Sequence, residues 1–64
     1  MFKVGDVVII KGWGSGWAEM NRGIINQIVK VDGKEFIEVF SEWNKHGFPI
    51  ESRDCFTSDE LELL

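Results

Sequence analysis

The side chains most able to do something in this sequence are Trp13, Trp17, Trp43, His46 and Phe48. Trp13 and Trp17 stand four apart in Gly12-Trp13-Gly14-Ser15-Gly16-Trp17, where alternate glycines neither hold a helix nor pack a strand, so the segment reads as a loop. The Gly-x-Gly-x-Gly spacing has the look of a phosphate cradle. Such a cradle needs a helix directly behind it, and Trp17-Ala18-Glu19-Met20-Asn21 is too short to supply one before Gly23. The glycines are better explained as letting the loop present or tuck in its indoles. Loops on a rigid scaffold carry binding, and tryptophan contributes large contact area at low entropic cost. Either ring could instead fold back as a lid on a small core, and Trp17 is the one expected to pack. Trp43, His46 and Phe48 lie together further along and could join either group.

Catalytic chemistry finds little support. Cys55 and His46 are the only cysteine and histidine. Cys55 sits between Asp54 and Phe56, whose charge and apolar ring disfavour a thiolate, so it reads as structural. One Cys and one His make no recognised metal pair, and Glu51, Asp54, Asp59, Glu60 and Glu62 lack the spacing of a calcium loop. Paired carboxylates need a cleft that so small a domain rarely encloses. The expectation is a protein that is not an enzyme and uses no cofactor and no metal.

With 64 residues, 44% of them hydrophobic and 28% charged, the chain is expected to fold as one domain spanning residues 1–64. No apolar run approaches the length of a membrane span. The net charge of -4 opposes unspecific nucleic-acid binding, which needs a basic surplus to displace counterions. The charge is uneven: residues 1–34 carry a net +2 and residues 35–64 a net -6. A basic edge of Lys3, Lys11, Arg22, Lys30 and Lys34 could therefore still meet nucleic acid, with the tryptophans stacking on bases. Those cations equally suit solvent-facing strand positions. A single cysteine allows no intramolecular disulfide, which points to a reducing cytoplasm, and no secretion signal is expected from the opening residues.

The elements that must position these residues read as strands. Val7-Val8-Ile9-Ile10 is a run of β-branched residues between Gly5-Asp6 and Lys11-Gly12, hence a buried strand. Ile24–Val31 and Lys34–Ser41 flank Asp32-Gly33, the pair that a tight hairpin requires. Along the second arm, Ile37 and Val39 are expected inside, with Phe36 and Phe40 packed under a loop, the opposite register remaining open. Apolar groups thus occupy both faces of that strand. A turn over residues 41–47 leads to a short strand at Phe48–Arg53, with Pro49 tolerated at its start or on an edge. Thr57-Ser58-Asp59-Glu60 has the spacing of a capping box, so one helical turn is expected before a last strand at Leu61–Leu64.

The whole chain is similar to an all-β, five-stranded SH3-like barrel with a long Gly/Trp-rich first loop and a single helical turn before the last strand. The residues that carry the resemblance are Val4-Gly5-Asp6-Val7-Val8, Gly23-Ile24-Ile25, Asp32-Gly33 and Asp59-Glu60-Leu61-Glu62-Leu63. The pattern resembles small barrels of the KOW, Tudor-like and Mib-Herc2 kind, many of them carried by bacterial, phage and chromatin-associated proteins. Barrels of this shape host RNA binders, peptide binders and structural subunits alike. There is no tyrosine, which departs from the polyproline-binding members, and the acidic balance departs from basic KOW modules. An aromatic cage of the Tudor-like sort would draw on Trp13, Trp17, Trp43 and Phe48. The resemblance implies a small non-catalytic protein-protein interaction module, an adaptor or inhibitor of a larger host or phage protein. It would dock through the Trp13–Trp17 loop, helped by Trp43, His46 and Phe48. Its acidic C-terminal half would steer it toward a basic partner. The alternatives are a nucleic-acid-binding KOW-like barrel and a structural subunit that self-associates through a strand edge or the apolar loop.

Overall fold

The computed structural model describes residues 1–13 and 21–64. The β-branched run forms strand β1 (Val7–Ile10), followed by β2 (Arg22–Val31), β3 (Lys34–Ser41), β4 (Ser52–Phe56) and β5 (Leu61–Leu63), with a 3-10 turn at Ser58–Glu60. All five strands pair antiparallel in one sheet of order β4-β3-β2-β1-β5. The chain is therefore all-β, as expected. β5 returns to the free side of β1, and among the described residues no ladder joins β4 to β5, so the sheet is not closed by hydrogen bonds. No helix among the described residues is long and apolar enough to cross a membrane.

Local chemistry accounts for the best-defined turns. Asp32 and Gly33 both take positive φ, 50° and 79°, the geometry that matches the twist of the flanking strands and that Asp and Gly tolerate best. At the 3-10 turn, Thr57 N–H donates to the Glu60 carboxylate at 2.9 Å and the Thr57 hydroxyl donates to Asp59, so the expected cap forms.

The inner face holds Val8, Ile10, Ile25, Ile37, Val39 and Leu61, all buried, with Phe2, Trp13, Ile28 and Phe56 packed around them. Ile37 and Val39 point inward, as the alternation predicts, and Phe36 and Phe40 lie half-buried on the opposite face. The ladder between β2 and β3 shifts register between Ile25 and Gln27. That extra residue keeps Ile28, three positions beyond Ile25, on the core side opposite Ile37, where strict alternation would turn it outward. Gly23 is required by close approach: a Cβ there would overlap Val39 Cγ1 and lie 2.9 Å from the Phe40 carbonyl oxygen.

Four boundaries differ from the sequence reading: β2 starts earlier, β4 both starts and ends later, at Ser52 and Phe56, and β5 ends at Leu63. β2 begins at Arg22, because Arg22 and Gly23 pair with Ile9 and Val8 of β1. β4 begins at Ser52, so Phe48–Ile50 precede it. The polar groups of that stretch are used locally: Asn44 N–H donates to Phe48 C=O, Phe48 N–H to Asn44 Oδ1, and Ile50 N–H to Phe48 C=O, while Pro49 has no N–H to offer.

At the end of β1, Trp13 N–H donates to Ile10 C=O, and its ring meets Phe56 edge-on at 6.3 Å and 64°. β2 and β3 separate β1 from β4 in the sheet, so this contact reaches across the inner face.

Candidate functional site

With the inner face filled by the core, the notable surface is the outer one. Cross-strand register places Val7 opposite Ile24, Ile24 opposite Phe40, and Phe40 opposite Arg53. Leu64 N–H donates to Val7 C=O at 3.1 Å, which continues the β1–β5 register by one residue. The row Leu64, Val7, Ile24, Phe40 thus crosses four neighbouring strand positions and ends under the Arg53 guanidinium, 5.8 Å from the centre of the Phe40 ring. Leu64, Val7 and Ile24 remain 63%, 40% and 49% exposed.

Beside this row is an open groove of about 220 Å³ lined by Val7, Arg22, Gly23, Ile24, Phe40, Glu42 and Trp43. Gly23 contributes backbone to the lining, while the position its Cβ would take lies on the inner side against Val39. Trp43 forms one wall, and two serines hold it. Ser41, 1% exposed, donates its hydroxyl to Arg22 C=O at 2.8 Å and accepts from Trp43 N–H at 3.1 Å. Ser52, the register partner of Ser41, donates to Trp43 C=O at 3.2 Å. The backbone carrying the indole is therefore tied at both its N–H and its C=O, and the same buried hydroxyl ties the backbone of Arg22. Arg22 and Glu42 are the groove's charged side chains, and neither makes an ion pair among the described residues.

The residues singled out from sequence fall into separate places. Trp43 lines the groove. His46 and Phe48 are exposed on the next loop, which Asn44 Oδ1 organises by accepting from both their backbone N–H groups, and they are not part of the groove lining. Trp13, half-buried, packs on the core and on Phe56. Trp17 lies outside the described residues. Of the five cations Lys3, Lys11, Arg22, Lys30 and Lys34, all exposed, Lys30 and Lys34 are near the hairpin tip, with Lys30 opposite Glu35. Arg22 stands eight residues back along β2, up to about 26 Å away at the usual rise of a strand. Arg22 alone among them lines the groove.

Val7, Ile24, Phe40, Glu42 and the serine clamp were not singled out from sequence as site residues. Their signal was the apolar content of both faces of β3 and the unbroken β-branched run of β1, since a strand buried on one face only should alternate. Among the described residues, no group of three or more His, Cys, Asp or Glu side chains could hold a metal ion. Cys55 is exposed on β4 opposite Glu38, which itself accepts from Asn26 Nδ2 at 2.6 Å. Asp59, on the connection between β4 and β5, is held below the ordinary carboxyl range, first by the Thr57 hydroxyl and then by a backbone hydrogen bond. Comparison of the chain with protein-family models, curated proteins and solved structures gave no match.

Proposed function

We propose that this chain is a non-catalytic protein-interaction module, an SH3-like barrel serving as adaptor or inhibitor of another protein, and that it docks through the outer-face groove walled by Trp43. One observation carries the reading. Beyond a complete inner core, the sheet presents a second apolar row, Leu64-Val7-Ile24-Phe40, with an aromatic wall at its side and arginines at its margins. Contiguous apolar surface rimmed by charge is the usual signature of an interface, and Trp and Arg are the residue types that dominate interface energetics. The strand order, with β5 beside β1 and a 3-10 turn leading into it, supports the barrel reading, as does the Trp13–Phe56 contact across the inner face. The exposed free thiol of Cys55 fits a reducing cytoplasm. Nucleic-acid binding draws less support, because the chain is net acidic.

The test is affinity capture with the wild-type chain and with Ile24→Asp, followed by reconstitution of each captured protein from purified components. Ile24 is half exposed, so the variant should retain the wild-type circular dichroism spectrum. The expected result is a purified partner whose binding weakens by at least about tenfold with Ile24→Asp, as for a residue at the centre of an interface. Equal binding by the two chains would overturn the docking reading. So would quenching of tryptophan fluorescence by single-stranded oligonucleotide at low salt that disappears at moderate salt.

A further inference from the structure

We infer that the free edge of β4 takes up an extended segment of another protein as an added strand, and that Asp54 selects a segment with a lysine or arginine opposite it. This surface is separate from the groove and goes beyond the docking reading above. β4 ends the sheet: it pairs with β3, and among the described residues no ladder lies on its other side. The register identifies the backbone groups left free. Ile25 N–H donates to Asp6 C=O and Ile25 C=O accepts from Gly5 N–H, just ahead of β1, while Arg22 C=O accepts from the Ser41 hydroxyl on the β3 side. Bonding direction alternates along a strand, so Ile24 bonds with Phe40, Val39 with Asp54 and Ser41 with Ser52. The N–H and C=O groups of Arg53 and Cys55 therefore point away from the sheet. Such a row is the template for strand addition by an extended peptide.

Charge decides which peptide. Asp54 lies opposite the buried Val39, so it shares the inner side of β4 with Ser52 and Phe56, yet it is exposed and has no hydrogen-bond or ion-pair partner among the described residues. An inward-pointing charge on an edge strand deters indiscriminate pairing. It deters copies of this chain in particular. Two β4 strands paired antiparallel about a two-fold axis through their outward groups would set Arg53 against Arg53 or Asp54 against Asp54, like charges directly opposite. The remaining alignment, Cys55 on Cys55, spans only Asp54–Phe56. A foreign strand with a cation opposite Asp54 turns the same carboxylate into an attraction. Glu51 precedes the strand and Glu38 flanks Cys55 from β3, so the surroundings favour a basic segment, whereas the Arg53 guanidinium is held over the Phe40 ring.

The test mixes the full chain with synthetic peptides that alternate valine with lysine or valine with glutamate, and follows amide hydrogen exchange at Arg53 and Cys55 by nuclear magnetic resonance. The expected result is slowed exchange at both amides with the lysine peptide, by about fivefold more than with the glutamate peptide, the scale set by one cross-strand charge pair. Asp54→Lys, at an exposed position, should reverse the preference. No slowing by the lysine peptide would overturn the inference. So would equal slowing by both peptides, or a preference that Asp54→Lys leaves unchanged. Slowing that grows with protein concentration in the absence of peptide would assign the edge to a second copy and overturn it as well. Ile24→Asp separates the two surfaces: the slowing should survive it, and its loss would put the peptide in the groove, overturning the edge inference while leaving the docking reading standing.

Discussion

Replacing Gly23 by Ala adds one methyl group at the point where β2 crosses closest to β3. That Cβ would overlap Val39 Cγ1 and stand 2.9 Å from the Phe40 carbonyl oxygen. Neither neighbour can yield easily. Val39 is a fully buried member of the core, and Phe40 is locked in register with Ile24 and Arg53. Forcing extra atoms into a well-packed site costs typically 1–3 kcal/mol, and two unyielding neighbours place this substitution near about 3 kcal/mol. A domain of this length has roughly 3–10 kcal/mol of stability in all, so the loss is a large fraction of it. At about 4–8 °C per kcal/mol for a small domain, the melting temperature should fall by roughly 12–24 °C. Urea unfolding followed by far-ultraviolet circular dichroism measures the change, with Gly12→Ala as the control, since a Cβ at Gly12 meets nothing within 4 Å. The control should stay within about 0.5 kcal/mol of wild type. If Gly23→Ala were equally silent, the close approach of β2 and β3 would be refuted.

Ser41→Ala removes a buried hydroxyl and leaves Arg22 C=O and Trp43 N–H without it, which should cost about 1–3 kcal/mol and alter Trp43 fluorescence; unchanged stability and emission would show that the clamp is unimportant. Trp13→Ala should cost roughly 2 kcal/mol, less than a fully buried tryptophan, while leaving partner binding through the groove intact once folding is confirmed. Thr57→Ala removes the first cause of the lowered Asp59 carboxyl. A folded-state value below the unfolded one stabilises at neutral pH, and the benefit is lost as pH falls through the folded value. The gap in urea midpoint between wild type and Thr57→Ala should therefore narrow on acidification below the ordinary carboxylate range, and a gap that widened would contradict the assignment.

Much of the fold was legible because the relevant physics is local. The β-branched run of β1, the paired positive φ angles of Asp32-Gly33, the Thr57–Glu60 cap and the inward alternation of Ile37 and Val39 each depend on residues a few positions apart. Placing β4 required knowing that Asn44 would take the N–H groups of His46 and Phe48 into a closed loop, which displaced the strand to Ser52. Trp13 packs on the core and meets Phe56, a contact between segments more than forty residues apart that no local pattern shows. The groove lay still further from sequence. Val7, Ile24, Phe40 and Leu64 come from four segments, and only the cross-strand register, with the bulge near Asn26 and the close approach at Gly23, sets them in one row. Residue type and spacing along the chain determined which segments would be strands. Which of those side chains share a surface was decided by strand order and register, because adjacency across a sheet is a property of hydrogen-bonded neighbours, not of sequence neighbours.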